Sequence, residues 1–284
     1  MERRGALAGH DDHLARIAEV AAGRTGARVQ YPIGVRELQV LAVARLSPVM
    51  LRLTLGGAGL AGFQSHVPNE HVRLIFPDER GELRLPEQDG PALRWPRPLP
   101  VSREYTVRRH DRDEGVLDID VVLHAGGVAS DWAAQVAVGA RIPVAGPPGG
   151  FVLPAAYDRY LFVGDITALP QIARYLEWLP AAAAGWAVLE VADATEEIAL
   201  SAPAGVEVRW VHRGAVPPGT GDALQRAARE VRVPDGERAF AWLAAEAGVL
   251  KPLRAWVRDE LGLPAADQMI TGYWKRGVAD FDED

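Results

Sequence analysis

At Pro154 the hydrophobic period of this chain changes, and that switch limits what it can fold into. From about Val35 to Pro154 apolar residues alternate. Val49-Met-Leu-Arg-Leu-Thr-Leu55 and Leu117-Asp-Ile-Asp-Val-Val-Leu123 each place every second side chain on one face, the pattern of a half-buried strand. In the second run Asp118 and Asp120 point one way and the aliphatic residues the other. Shorter strands fit Leu38–Arg45, His71–Phe76 and Arg141–Ala145, separated by Gly- and Pro-rich turns. Six or so short strands around one helical piece predict a small antiparallel barrel.

Beyond Pro154 the pattern is different. Tyr160–Gly164 is an apolar strand and Leu169–Leu179 carries helical spacing. Strands recur at Trp186–Val191, Val206–Val211, Ala239–Leu243 and Gln268–Tyr273, with helical stretches at Asp222–Glu230 and Val249–Leu261 between the last three. That alternation predicts a parallel, doubly wound sheet. The expected fold class is β plus α/β: an N-terminal antiparallel β-barrel domain over 31–153, then a parallel-sheet α/β domain over 154–284. Residues 1–30 are expected to form an arm. There Asp11 or Asp12 caps a short helix whose Leu14, Ile17, Ala18 and Ala21 share a face, and Gly23 stops it. A length of 284 residues is comfortable for two cores.

Composition removes several chemistries. The chain has no cysteine, which excludes disulfides, thiolate nucleophiles and Cys-ligated metals. A net charge of −7 argues against nucleic acid as a partner. No apolar run is long enough to cross a bilayer and no signal-peptide core precedes the N-terminal charges, so the chain is expected in the cytoplasm without membrane insertion. His10, His13, His66, His71, His110 and His212 lack paired metal spacing, and no metal site is expected. Trp178, Trp186, Trp210, Trp242 and Trp256 fit core or sheet-face positions, and the acidic tail Asp280–Asp284 reads as a solvated end.

Three segments carry chemistry. In Ser102-Arg-Glu-Tyr-Thr-Val-Arg-Arg109, a tyrosine between arginines at alternating positions can stack on a flat heterocycle while a guanidinium meets a phosphate. Equally, it is an edge strand with exposed cations. His124-Ala-Gly-Gly-Val-Ala-Ser-Asp-Trp132 reads as a helix start with Ser130 as N-cap, an anion site or an ordinary capped helix. Val163-Gly-Asp-Ile-Thr-Ala-Leu-Pro170 lies at the carboxyl end of the first parallel strand, where α/β sheets present groups to ligands. Asp165 and Thr167 there could also simply cap the next helix. The Gly-x-Gly-x-x-Gly fingerprint is absent.

The order Arg103-x-Tyr-Thr-x-Arg108, Gly127–Ser130, Gly164-Asp-x-Thr-Ala-Leu-Pro170 resembles the siderophore-interacting protein family, flavin-dependent ferric-siderophore reductases of the ferredoxin-reductase-like group. The resemblance continues through Trp210-Val-His-Arg213, Ala245-Glu-Ala247 followed by Leu253-Arg254, and Gly272-Tyr-Trp-Lys-Arg-Gly277, from roughly Val35 to Gly277. It implies FAD in the barrel domain and NADPH or NADH in the α/β domain. Arg103, Tyr105 and Thr106 would hold the flavin and its ribityl phosphate, with Arg108 nearby and His124 beside the flavin. Gly127, Val128, Ala129 and Ser130 would wrap the pyrophosphate. Asp165 and Thr167 would face the flavin and nicotinamide as the catalytic positions, and Arg213 would lie near the nucleotide ribose or its 2′-phosphate. Tyr273, Trp274, Lys275 and Arg276 would border the flavin, the two cations attracting an anionic ferric siderophore. Two positions depart from the family pattern: Ile166 replaces a Glu, and Ala245 replaces a Gly. The implied activity is NAD(P)H-dependent release of iron as Fe(II) from siderophores. Alternatives are a flavin reductase with another acceptor or a ferredoxin donor, and a siderophore- or flavin-binding protein without turnover.

Overall fold

A computed structural model describes residues 2–279 and 281; the side chain of His10 and most of the acidic tail Asp280–Asp284 lie outside the described residues. The chain divides into two compact units, Met1–Leu153 and Pro154–Asp284.

The first unit runs through α1 (Glu2–Ala21), β1 (Ala27–Gln30), β2 (Val35–Ser47), β3 (Met50–Gly56), β4 (His71–Phe76), β5 (Glu87–Asp89), β6 (Ala92–Arg94) and β7 (Val101–Thr106). It continues with β8 (Arg109–Asp111), β9 (Val116–Val122), α2 (Val128–Gln135), β10 (Arg141–Ala145) and β11 (Gly149–Val152). Seven strands form one antiparallel sheet in the order β7-β4-β10-β2-β3-β9-β8. Just past β7, the Arg108 N–H donates to the Asp118 carbonyl of β9 at 2.8 Å and draws the sheet's ends together as a barrel. The alternation read from sequence supplies the interior: Val40, Leu53, Leu55, Val72, Leu74, Leu117, Ile119 and Val121 are fully buried. Ala129 and Ala133, small enough for close approach, seat α2 against this core.

Asp118 and Asp120 share a face as the alternation predicts, but that face is buried, with 4% and 3% of each residue exposed. The register explains why they are tolerated. Thr54 and Arg52 stand directly opposite them on β3. Arg52 forks onto Asp120 at 2.7 and 2.8 Å, and Thr54 Oγ1 donates to Asp118 at 2.7 Å. Arg109 Nε reaches Asp118 at 2.8 Å. Buried carboxylates are tolerated when partners of this kind satisfy their oxygens. A third, Glu70, is wholly buried and accepts hydrogen bonds from Tyr31 Oη at 2.7 Å, Ser65 Oγ and the backbone N–H groups of His66 and Val67. Its own carbonyl accepts from the Val107 N–H at 3.0 Å, next to the end of β7.

The arm departs from expectation. Asp11 and Asp12 lie inside α1 rather than capping it. Leu14 and Ala18 are exposed, and the buried stripe is Ile17 and Val20 with half-buried His13. The reason is tertiary: His13 Nδ1 meets Gln64 Oε1 at 2.7 Å and its ring packs 4.9 Å from that of Tyr31. β1 then pairs with β11.

The second unit comprises β12 (Arg159–Asp165), α3 (Leu169–Trp178), β13 (Ala184–Val191), β14 (Gly205–His212), α4 (Ala223–Arg229), β15 (Ala239–Glu246), α5 (Ala247–Ala255) and β16 (Gln268–Trp274). Its five strands are parallel in the order β14-β13-β12-β15-β16. One sheet face packs Leu161, Val163, Leu243, Leu224, Leu250, Leu253 and Trp256 together. On the other, the rings of Phe162 and Tyr175 stack at 5.2 Å and Tyr175 meets Trp242 at 5.7 Å. Trp242 and Trp256 are core residues as expected. The chain steps outward from β12 to β14, then returns to place β15 on the other side of β12. Strand order therefore reverses between β12 and β15, and the crevice outside the carboxyl ends at such a reversal is where ligands bind. Among the described residues, no helix is long and apolar enough to cross a membrane.

Candidate functional site

In the first unit the arginine–tyrosine motif lies on β7, the edge strand of the seven-stranded sheet. Arg103 and Tyr105 are paired with Leu74 and Val72 and share their face. The Tyr105 ring packs on the barrel core, and burial pushes its phenol up to about 12 while the Arg103 charge pulls the other way. The Arg103 guanidinium donates to the Ser102 carbonyl at 2.7 Å. Glu104, on the opposite face, pairs with Arg73. Thr106 is buried. Arg108 turns inward, Nε 3.8 Å from Asp120 Oδ2, so Asp120 lies between two guanidiniums.

The His124–Ser130 loop is built differently from its sequence reading. Ser130 is not the N-cap: α2 starts after Gly127, which makes no side-chain cap. Ser130 lies in the first turn, and its hydroxyl accepts from the His124 N–H and donates to the His124 carbonyl, both at 2.8 Å. That reciprocal pair closes the loop. Gly126 supplies the left-handed turn at φ +75°, and the His124 ring folds over Gly127, where a Cβ would stand 2.3 Å from the imidazole. The first turn of α2 presents the N–H groups of Val128, Ala129 and Ser130, which a helix leaves without internal partners. A glycine turn packed so closely under the His124 ring that a Cβ would not fit, leading into backbone donors at a helix start, suits a pyrophosphate. The residues present fit a flavin dinucleotide.

In the second unit the carboxyl edge of the parallel sheet carries one polar residue at the end of each strand. In spatial order these are Arg213, just past the end of β14, then Glu190, Asp165, Glu246 and Trp274. Asp165 does not cap α3, whose N-cap is Ala168. Its Oδ1 accepts from the Thr167 N–H and hydroxyl at 2.9 and 2.5 Å. Oδ2 accepts from Trp274 Nε1 at 2.8 Å and the Glu246 N–H at 3.1 Å. One carboxylate thus ties together the ends of β12, β15 and β16. Burial pushes its pKa up despite these four donors. Glu246 is buried and holds the Gly248 and Val249 N–H groups at 2.6 and 2.9 Å and the Arg276 N–H at 3.1 Å. Lys275 and Arg276 are exposed on the turn that follows. Tyr273 Oη donates to buried Gln171. Arg213 takes its place through its N–H, 3.0 Å from the Val191 carbonyl, and its Nη1 is buried without a hydrogen-bond partner among the described residues. Ala245 fills core space with 1% exposed, and Ile166 is half-buried.

Glu190 escaped the sequence reading. It sits in the apolar run Val188-Leu-Glu-Val191, and the available signal was a lone carboxylate at the carboxyl end of a parallel strand. It stands in register beside Asp165. Burial, then the Asp165 charge, pushes its pKa up, while a backbone donor at Leu224 and Arg213 pull it down.

The raised carboxylates have a measurable consequence. A folded chain that holds a proton the unfolded chain releases loses stability as pH rises. For Asp165 this begins near its ordinary value of 3.8 and ends at its folded value; Glu190 adds the same sign from 4.5 upward. Asp78, Asp193 and Asp259 are depressed and act below 3.8 with the opposite sign. Urea denaturation from pH 4 upward is expected to show stability falling by up to about 1.4 kcal/mol per pH unit per proton. The slope should be shallower in Asp165→Asn; an identical slope would place the proton elsewhere.

Comparison with known proteins agrees with this architecture. The family model described as siderophore-interacting FAD-binding domain matches residues 39–151, and that described as siderophore-interacting protein matches 157–277. The chain is 33% identical to ferric vibriobactin reductase ViuB of Vibrio cholerae, over 82% of this chain and 86% of that protein. It is also 33% identical to the NADPH-dependent ferric-chelate reductase of Escherichia coli, over 80% and 87%. The crystal structure of a siderophore utilization protein from T. fusca superposes with a TM-score of 0.85 at 40% identity, covering 90% of this chain and 98% of that one. More distant ferredoxin reductases share the fold alone. Family models over both the barrel and the five-stranded parallel sheet, with relatives a third identical over most of its length, place this chain in the siderophore-interacting protein family of ferredoxin-reductase-like flavin oxidoreductases.

Proposed function

We propose that this protein is a ferric-siderophore reductase that takes electrons from NADPH or NADH through FAD and releases iron as Fe(II). The observation that carries the reading is one chain holding both a glycine-led helix start at α2 with backbone donors and a polar carboxyl edge where Arg213 Nη1 is buried without a hydrogen-bond partner among the described residues. The names of its relatives in Vibrio cholerae and Escherichia coli support it. FAD held by the barrel residues would supply the link between the two-electron chemistry of the nicotinamide and the one-electron reduction of Fe(III).

The chain's residues bind and orient. Tyr105 offers a ring fixed by packing on the barrel core, Thr106 follows it, and Arg103 offers a guanidinium to a phosphate. Asp120 holds Arg108 as a fixed charge. His124 and the N–H groups of Gly127, Val128, Ala129 and Ser130 form the pyrophosphate site. Asp165 spends both oxygens on Thr167, Glu246 and Trp274, so it positions the nicotinamide face and the Trp274 ring rather than moving a proton. Lys275 and Arg276 present positive charge to an anionic siderophore, which is the substrate with its iron. Fe(II) binds hard catecholate or hydroxamate oxygens less well than Fe(III), so reduction frees the metal. This assignment places the reaction in the cytoplasm.

The test is an anaerobic absorbance spectrum of the purified protein before and after NADPH or NADH. A flavin band that bleaches, and returns when a ferric siderophore is added, is the expected result. A band that neither nucleotide bleaches would favour a binding protein or a ferredoxin-fed reductase.

A further inference from the structure

Along the carboxyl edge of the second unit, Asp165 and Glu190 stand directly opposite one another on adjacent strands, about one strand spacing apart, ~4.8 Å. Asp165 and Glu246 flank the reversal between β12 and β15, the place for the reacting ring of a nucleotide. Moving away from it, the next strand end carries Glu190; on the strand beyond, Val211 stands opposite Glu190, and Arg213 follows two residues later, just past the end of β14. A dinucleotide with its reacting end at the reversal lays its adenosine half over these two residues. We propose that Glu190 decides which pyridine nucleotide this chain accepts, its carboxylate taking a hydrogen bond from a free ribose 2′-hydroxyl and repelling the 2′-phosphate that Arg213 attracts.

The chemistry of the pair supports this. A carboxylate at the end of a neighbouring strand accepts from ribose hydroxyls, and a nearby arginine accommodates a 2′-phosphate. This edge has both, on neighbouring strands, close enough for the Arg213 charge to act on Glu190. Glu190 has the Asp165 charge on one side and the Arg213 charge on the other, and Arg213 keeps a buried nitrogen without a hydrogen-bond partner among the described residues. A structural ion pair would use that nitrogen. Specificity of this kind is set as much by the repelling group as by the attracting one.

The inference rests on the pyridine-nucleotide reading above, and the test separates the two. Equilibrium binding of 2′,5′-ADP and 5′-AMP to the full chain, by calorimetry at pH 8, isolates the 2′-phosphate. Glu190→Gln is expected to bind 2′,5′-ADP about tenfold more tightly, since removing a like charge removes a repulsion, while 5′-AMP binding is unchanged or weaker. Glu190→Asp, which keeps the charge, should retain the wild-type ratio, and Arg213→Gln should lose affinity for 2′,5′-ADP alone. If Glu190→Gln moves both ligands equally or neither, Glu190 serves the fold through the Leu224 N–H and the inference is wrong, though nucleotide binding stands. If neither ligand binds the wild-type chain, the inference and the nucleotide reading fall together.

Discussion

Replacing Gly127 by valine is expected to yield a folded chain that no longer retains FAD. The glycine lies at φ −99°, a backbone any residue adopts, so the substitution carries no conformational penalty and the fold should lose less than about 1 kcal/mol. The effect is steric and local. A Cβ would stand 2.3 Å from His124 Cε1 and 2.7 Å from Nε2, so the ring must leave or the turn must open. The same loop is closed by Ser130 bonding both polar backbone groups of His124, and opening it moves the N–H groups of Val128, Ala129 and Ser130. Hydrogen bonds to a charged acceptor contribute about 1.5–3 kcal/mol each; losing two weakens FAD about a hundredfold or more. The measurement is flavin absorbance per chain after purification, followed by FAD titration, with urea unfolding as the control for folding. Stoichiometric flavin in the variant would move the pyrophosphate away from α2.

Gly185→Val is expected to destroy the second unit. Gly185 sits at φ +149° at the start of β13, and a Cβ there would lie 1.9 Å from the Tyr160 carbonyl oxygen and 2.7 Å from its nitrogen. These are the atoms of its ladder partner on β12, so relief requires separating two central strands of the sheet. A β-branched residue in that backbone region adds strain of its own. A cost above about 4 kcal/mol is comparable to the whole stability of a small domain. The expected outcome is an insoluble chain, or a soluble one whose Trp242 and Trp256 emit as in water and whose residues beyond 154 are cleaved rapidly by protease. Native tryptophan emission would show that β12 and β13 tolerate the displacement.

What could be read beforehand was what periodicity encodes. His71–Phe76 and Arg141–Ala145 coincide with strands to the residue, because each is bounded by turn residues that stop a strand sharply. The three inner parallel strands, β13, β12 and β15, were legible because buried strands read as near-continuous apolar runs. Misreadings arose where a polar side chain had two local options. Ser130 can cap a helix or bond backward to His124, and only the path of the Gly126–Gly127 turn decides. Asp11 and Asp12 resemble caps, yet α1 runs through them. Glu190 and Glu246 were hard to single out because their importance comes from which strands lie side by side, and strand order is not written in any local window. The depth of Asp118 and Asp120 depended likewise on Arg52 and Thr54, more than sixty residues away.

The Tyr31–Glu70 contact makes the arm a poor candidate for trimming. A protein engineer shortening the chain to its barrel would cut near residue 30, since the first turns look dispensable. Such a cut removes β1 from β11 and leaves Tyr31, whose hydroxyl is one of the donors satisfying a carboxylate with no access to water, as a fraying chain end. Glu70 also steadies Val107, one residue past the strand bearing Arg103 and Tyr105. Damage at the amino terminus would therefore surface as a pale preparation rather than as an obviously misfolded one.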